Sequence, residues 1–222
     1  MNISQEPHSL LYATAFLTDW PAPLGENYNL SRVRRFFGEQ NFEFEPPSNI
    51  KILIRDLLRK GGFSPSGRNK PACEYLSKAV EKGWFSPSHG INAAVDCCNA
   101  VSLHSQLPIS VIDISKATPP FTIRVCPKDT SYIFNPSGQI LRADGLLALC
   151  DQNGPCGTSV KDAQRTKTDD KTLQTLSIVW SHIDIQEYTD IVTKMYIELQ
   201  NTLATDNQHP QSTVIAITDS CV

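Results

Sequence analysis

Seven cysteines and five histidines are the side chains here best suited to nucleophilic or metal chemistry. The cysteines are Cys73, Cys97, Cys98, Cys126, Cys150, Cys156 and Cys221; the histidines are His8, His89, His104, His182 and His209. A thiol becomes a nucleophile when a neighbouring base or cation lowers its pKa. A Cys–His pair assembled by folding therefore stays open, because such partners can be distant in sequence. Zinc spacing is absent: no CxxC pair exists, Cys97 and Cys98 are adjacent, and the histidines are scattered. The thiols read as reduced and mostly buried, which fits a cytoplasmic protein. There is no GxGxxG, GxxxxGK[ST], HExxH or GxSxG motif, so dinucleotide, P-loop, zincin and nucleophile-elbow chemistries lack their signatures.

Charge is the second chemical signal. The chain has 222 residues, 20 Lys+Arg, 23 Asp+Glu, a net charge of -3 and a pI near 5.9. That balance argues against a surface that is basic throughout. Locally it is otherwise. Between Asn49 and Lys82 lie eight bases (Lys51, Arg55, Arg59, Lys60, Arg68, Lys70, Lys78, Lys82) and three acids (Asp56, Glu74, Glu81), a net +5. From Ile183 onward six acids face Lys194 alone, a net -5. A basic stripe on a mildly acidic protein is the footprint of a phosphate-rich partner. Arg32, Arg34 and Arg35 form a smaller cluster, readable as a solvated helix face or as a phosphate contact.

The elements that must carry these residues are those of a soluble α/β protein. Forty percent apolar and 19% charged residues fit one domain with a sizeable core. No stretch reaches the roughly 20 apolar residues of a membrane span, and the start lacks the basic and apolar regions of a signal peptide. The spacing of Ile50, Leu53, Ile54, Leu57 and Leu58 predicts a helix capped by Ser48 or Asn49 and stopped by Gly61-Gly62. A loop of residues 63–69 leads to a second helix near Pro71, with Tyr75, Leu76, Ala79 and Val80 on one face. A third helix spans Ile91 to His104. Strands are expected at Ile109–Ile114, Phe121–Cys126, Ser131–Phe134, Leu146–Leu149 and Leu173–Trp180. A polar loop, Asp151 to Lys171, separates the last two, and an amphipathic helix covers Ile185 to Leu203. The first 48 residues show one short helix near Leu30 to Phe37; the last 18 read as a tail, unless residues 214–218 add an edge strand.

Three segments in order carry a resemblance. They are Ile91-Asn-Ala-Ala-Val-Asp-Cys-Cys-Asn-Ala-Val-Ser-Leu103, Leu107-Pro-Ile-Ser-Val-Ile-Asp113 and Ile123-Arg124. The series resembles the B3/B4 domain, the editing domain of the bacterial phenylalanyl-tRNA synthetase β chain. That family has a V-D-x-x-N-x-V helix, a P-x-H-x-x-D strand, a strand with an arginine, a glycine-containing loop and a final strand. Asn153-Gly-Pro-Cys-Gly157 and Leu173 to Trp180 match the last two. Stand-alone members have a segment similar to Lys161-Asp-Ala-Gln-Arg-Thr166 before the final strand. The resemblance spans Ser64 to Trp180, about half the chain.

The resemblance implies a mixed α/β fold with a central sheet flanked by helices. It also implies a domain over residues 61–204, a helical extension over 1–60 and a tail over 205–222. The implied activity is hydrolysis, in trans, of a wrong amino acid from the charged 3′ end of a tRNA, in the cytoplasm, without ATP, metal, cofactor or membrane. Asn99 matches the family asparagine and would hold the ester carbonyl or a water. Ser110 stands where the family has histidine and, as a hydroxyl, is a poor base unaided. The loop of Gly154 and Gly157 would offer N–H groups to an oxyanion. Asp162 would face the substrate amine or side chain, and Arg124 a phosphate or carbonyl. Arg68, Asn69, Lys70, Lys161, Arg165 and Thr166 would contact the tRNA. The final strand lacks the acid that reads a tyrosine hydroxyl, so tyrosine does not suit this pocket. An arginine analogue such as canavanine would need a carboxylate, for which Asp96, Asp113 and Asp162 are candidates. Two other readings stay open: a non-catalytic module for tRNA ends or amino acids, and a cysteine-dependent hydrolase.

Overall fold

A computed structural model describes residues 1–26, 28–38, 45–84, 90–204 and 208–220. Cys221 and His89 lie outside the described residues. The strands are β1 (Ile3–Gln5), β2 (Leu11–Asp19), β3 (Ile109–Asp113), β4 (Phe121–Val125), β5 (Ser131–Ile133), β6 (Ile140–Arg142), β7 (Leu147–Asp151), β8 (Gly154–Thr158), β9 (Gln174–His182), β10 (Gln211–Ile215) and β11 (Ile217–Asp219). The helices are α1 (Ser31–Gly38), α2 (Ile50–Lys60), α3 (Ala72–Glu81), α4 (Ala93–Ser105) and α5 (Gln186–Asn201).

The strands form two main sheets. One has the order β11-β1-β4-β7-β8, parallel across its first three strands and antiparallel beyond. The other, β10-β2-β9-β3, is antiparallel throughout. A small hairpin, β5-β6, stands apart. The alternation along β9 shows how the layers stack. Leu176, Ile178 and Trp180 join Ile3, Ile123 and Leu149 of the first sheet in one buried cluster. Val179 faces the other way, with Phe16, Val101, Val192 and Tyr196, in the cluster that seats α4 and α5. A third cluster beneath the hairpin includes Leu58, Phe63, Leu141 and Ala148.

The mixed α/β class is as the sequence implies, but the strands divide between two sheets. The reading of residues 1–60 as helical is corrected: β1 and β2 sit inside the sheets, each with a strand on both sides. Both faces of β2 are covered, so its side chains lack the in–out polarity that marks a strand. Beyond residue 210 the chain forms β10 and β11, edge strands rather than a tail. The start of the expected loop at 151–171 is instead the β7–β8 hairpin. Asn49 precedes α2 without a side-chain cap. On α3 only Cys73 is buried, and Tyr75 on its apolar face is 49% exposed.

One contact between α2 and the turn before β7 leaves no room for a side chain. A Cβ on Gly145 would lie 2.4 Å from the Gly61 carbonyl oxygen, and Gly145 has φ +72. Gly145→Ala therefore combines a backbone clash with a left-handed conformation. It should cost about 2 kcal/mol or more in urea unfolding; a loss under about 0.5 kcal/mol would show that this contact yields freely.

Candidate functional site

Two of the candidate residues, Ser110 and Asp162, meet beside Gly157 where the edges of the two sheets come together. β3 is the edge of one sheet and β8 the edge of the other. The buried Ser110 hydroxyl donates to the Thr158 carbonyl at 2.9 Å and accepts from the Trp180 indole N–H at 2.9 Å. Asp162 accepts from the Val111 amide at 3.2 Å and from the Thr158 amide at 2.9 Å. Gly157 permits this packing: a Cβ there would lie 3.3 Å from the Ser110 Cβ. A tight turn brings Asp162 back, because the Thr158 hydroxyl accepts from the Lys161 amide at 3.0 Å and donates to its carbonyl at 2.9 Å.

Asp162 keeps some accessible surface as a residue, but its carboxyl is enclosed. Burial pushes the carboxyl up from 3.8 to about 6, against the pull of the Thr158 amide, the Val111 amide and the Lys167 ammonium. A carboxyl in that range can take a proton near neutral pH. Ser110 has its donor and one acceptor site engaged in the fold, so it is a strut in this state rather than a free hydroxyl. Asn99, next to Cys98 on α4, is half-buried and forms no side-chain hydrogen bond among the described residues.

Several other candidates are held by internal bonds. Gly154 has φ +105 and opens β8; residues 154–157 form a strand, not an oxyanion loop. Arg165 forks onto both Asp151 oxygens at 2.8 and 2.6 Å and also donates to the Gly154 carbonyl at 2.9 Å. Burial pushes the Asp151 carboxyl up; the Arg165 fork and the Thr118 and Asn153 amides outweigh it and leave a net lowering. The buried Thr166 hydroxyl donates to the Cys156 carbonyl at 3.0 Å. Asp96 accepts from the Ile91 amide at 2.9 Å, and Asp113 from Ser115 and Thr172. Arg124 pairs with neither Asp113 nor Asp151; its Nε is buried without a partner.

Arg68, Asn69 and Lys161 do come together. With Tyr75 and Phe134 they line an open cleft of about 710 Å³ between α3 and the β5–β6 hairpin. The Lys161 ammonium stands 4.1 Å from the Phe134 ring centre and 5.7 Å from that of Tyr75. Burial lowers its pKa, and the nearby Arg68 and Lys167 lower it further. Lys70 lies on the neighbouring surface with Lys78 and Lys82. The aromatic lining was missed in the sequence. The signal was there: Tyr75, Lys78, Ala79 and Lys82 recur at helical spacing and put an aromatic ring among the lysines.

Burial pushes the thiols of Cys73, Cys97, Cys98 and Cys156 up. Cys150 differs: the Cys126 thiol, then the Arg124 guanidinium, lower its pKa against the opposing effect of burial. No hydrogen bond joins a histidine to a cysteine among the described residues; His182 accepts from the Asp184 amide, and His209 bonds to the Asn201 carbonyl. Among the described residues no cluster of His, Cys, Asp and Glu could hold a metal ion, and no helix is long and apolar enough to cross a membrane.

No family model and no curated protein matches the chain. An N-terminal fragment of the phenylalanyl-tRNA synthetase β-subunit from Pyrococcus horikoshii is similar in structure, with a TM-score of 0.49 and 7% identity. The match covers 98% of this chain and 52% of that one, so this chain spans about half the fragment's length. A TILS C-terminal domain matches with a TM-score of 0.30 and 9% identity, over 34% of this chain and 71% of that one. Neither likeness assigns a function.

The Asp162 carboxyl makes a pH test of the junction. Its folded pKa, about 6, exceeds the unfolded 3.8, so the folded protein binds this proton more tightly. The contribution to stability is complete below about pH 4 and is lost as pH rises through about 6. Relative to Asp162→Asn, native stability should fall by up to about 3 kcal/mol across that window. Urea unfolding at several pH values measures it; equal pH slopes for the two proteins would refute the enclosed carboxyl.

Proposed function

We propose that this protein binds the charged 3′ end of a tRNA and hydrolyses a wrong amino acid from it in trans. One observation carries the reading. A single turn joins Asp162, whose carboxyl is raised to about 6, to Lys161 on the rim of a cationic cleft. The ordered resemblance from Ile91 to Trp180 points the same way. In this reading the backbone of the tRNA end lies against Arg68, Asn69 and Lys161. A water attacks the ester carbonyl carbon, and Asp162 takes its proton. Asp162 then returns that proton to the ribose oxygen as its bond to the carbonyl carbon breaks. Asn99 supplies a donor to the carbonyl oxygen. Positioning and electrostatics suffice for an ester that is already labile. The substrate class is a non-cognate or non-proteinogenic amino acid.

A second reading, a non-catalytic binder of tRNA ends, is favoured by the internal bonds of Ser110. A panel of correctly and wrongly charged tRNAs, canavanine-charged tRNA included, separates the two by ester loss. Cleavage of at least one wrongly charged tRNA is expected. Asp162→Asn and Asn99→Ala should each slow it by about 100-fold or more. Retention of charged tRNA without cleavage would establish the binder instead. Blocking thiols should leave cleavage intact; loss of activity with the reagent would point to a cysteine nucleophile.

A further inference from the structure

We infer that the cleft between α3 and the β5–β6 hairpin, together with the smaller bay that adjoins it on α3, is a stacking site for unpaired RNA bases, with Tyr75 and Phe134 as ring platforms in the cleft, Trp84 as the platform in the bay, and Arg68, Lys82 and Lys161 as phosphate partners. The inference deepens the tRNA-end reading, on which it rests, by naming the groups that hold the unpaired acceptor nucleotides.

The exposed rings come first. The protein has three tryptophans. Trp20 and Trp180 are 4% and 0% exposed, whereas Trp84 is 71% exposed. Tyr75 is 49% exposed on a helix whose apolar stripe meets little core. Large exposed rings gathered on one face mark a contact surface.

The arrangement of charge supplies the partner. The Lys82 ammonium stands 4.4 Å from the Trp84 ring centre, and Lys161 stands over Phe134 and Tyr75. Arg68, Lys82 and Lys161 make no ion pair with a carboxylate among the described residues. Burial lowers the Lys161 pKa, and repulsion from Arg68 and Lys167 lowers it further. An incoming anion relieves that repulsion.

Geometry then selects the kind of anion. The large cleft holds Tyr75, Phe134 and Lys161; a second bay of about 220 Å³ holds Tyr75, Lys82 and Trp84. Arg68 and Tyr75 line both. Two bays that share one ring match successive bases on a continuous backbone. Base–ring stacking with cations along the backbone is how single strands are held. A duplex keeps its bases stacked on each other, away from protein rings. An acidic peptide would use the lysines and leave the rings idle.

Trp84 is a built-in reporter. Titration with a short oligoadenylate should quench the exposed-tryptophan emission, and Trp84→Phe should abolish that change. Tyr75→Ala and Phe134→Ala should each weaken oligoadenylate binding about 5- to 100-fold, a range set by the stacking of one base. Lys161→Ala should lower the salt dependence. A blunt RNA duplex, inorganic polyphosphate and polyglutamate should bind more weakly and without quenching. The inference is overturned if polyphosphate or polyglutamate binds as tightly as oligoadenylate, or if the two ring variants, folded by thermal melting, bind it like the native protein. Failure here and failure of the hydrolase reading differ. Charged tRNA that quenches Trp84 but is not cleaved removes only the hydrolase. Charged tRNA that is cleaved at native KM by both ring variants removes only the stacking site.

Discussion

Two unfinished sheet edges meet at one carboxylate, and much of the rest follows from that. An edge strand presents backbone donors and acceptors that must find partners or water. β3 and β8 are such edges, and they close on each other without forming a ladder. The Val111 and Thr158 amides both donate to Asp162, and the Ser110 hydroxyl caps the Thr158 carbonyl. Three polar groups that would otherwise be buried unpaired are satisfied by two side chains. The Trp180 indole completes the set by donating to Ser110. Trp180 is fully buried in the cluster between the sheets, so the junction is anchored in the core.

The position of the cleft depends on this closure. Thr158 ends β8, and its hydroxyl folds the next residues into the turn that returns Asp162 to the junction. Lys161 precedes Asp162 in that turn. Its carbonyl is tied further by the Tyr132 hydroxyl at 2.6 Å, which fixes the turn to β5. The Lys161 ammonium is thereby delivered over Phe134, just beyond β5. Lys167, four residues after the Ala163 amide has bonded to the Cys156 carbonyl, donates to the Phe134 carbonyl at 2.7 Å. The same short segment therefore sets both the enclosed carboxylate and the cationic rim. A group that serves folding and chemistry together is constrained twice, since any change in its charge moves stability and reactivity at once.

Legibility in the sequence varied with how one-sided each element is. α2, α4 and α5 have a covered face, and their periodicity located them within a residue or two. β2 is covered on both faces, and β1 is three residues long, so neither announced itself. The polar residues of the chain end favoured a tail, but the alternative of an edge strand over 214–218 falls on β10 and β11, whose pairing with β2 and β1 decides their state. α3 misled in the opposite direction. Its stripe of Tyr75, Leu76, Ala79 and Val80 has core-like spacing, yet Tyr75 and Val80 face solvent. Periodicity reports which residues share a face, not what that face meets. Gly154 and Gly157 read as a loop because glycine suits turns, but only Gly154 serves one, and Gly157 makes room for Ser110. The junction itself pairs residues 48 to 51 positions apart. No local pattern could place those side chains together; the charge density of residues 161–165 was the one visible hint.

The lysines over the rings have a further consequence. Exposed aromatic surface invites non-specific association. A lysine laid across a ring covers part of that surface with its own stem and holds its charge in water. In the free protein Lys82 and Lys161 thus shield Trp84 and Phe134. In the proposed complex a base takes over the ring face, and each ammonium moves the short distance to a phosphate. The two contacts exchange rather than add, so the net gain per nucleotide is moderate. Moderate gain suits a surface that must release its partner. In the proposed complex the local +5 between Asn49 and Lys82, on a chain with a net charge of -3, would draw a strand in over a Debye length, and the rings would decide whether it stays.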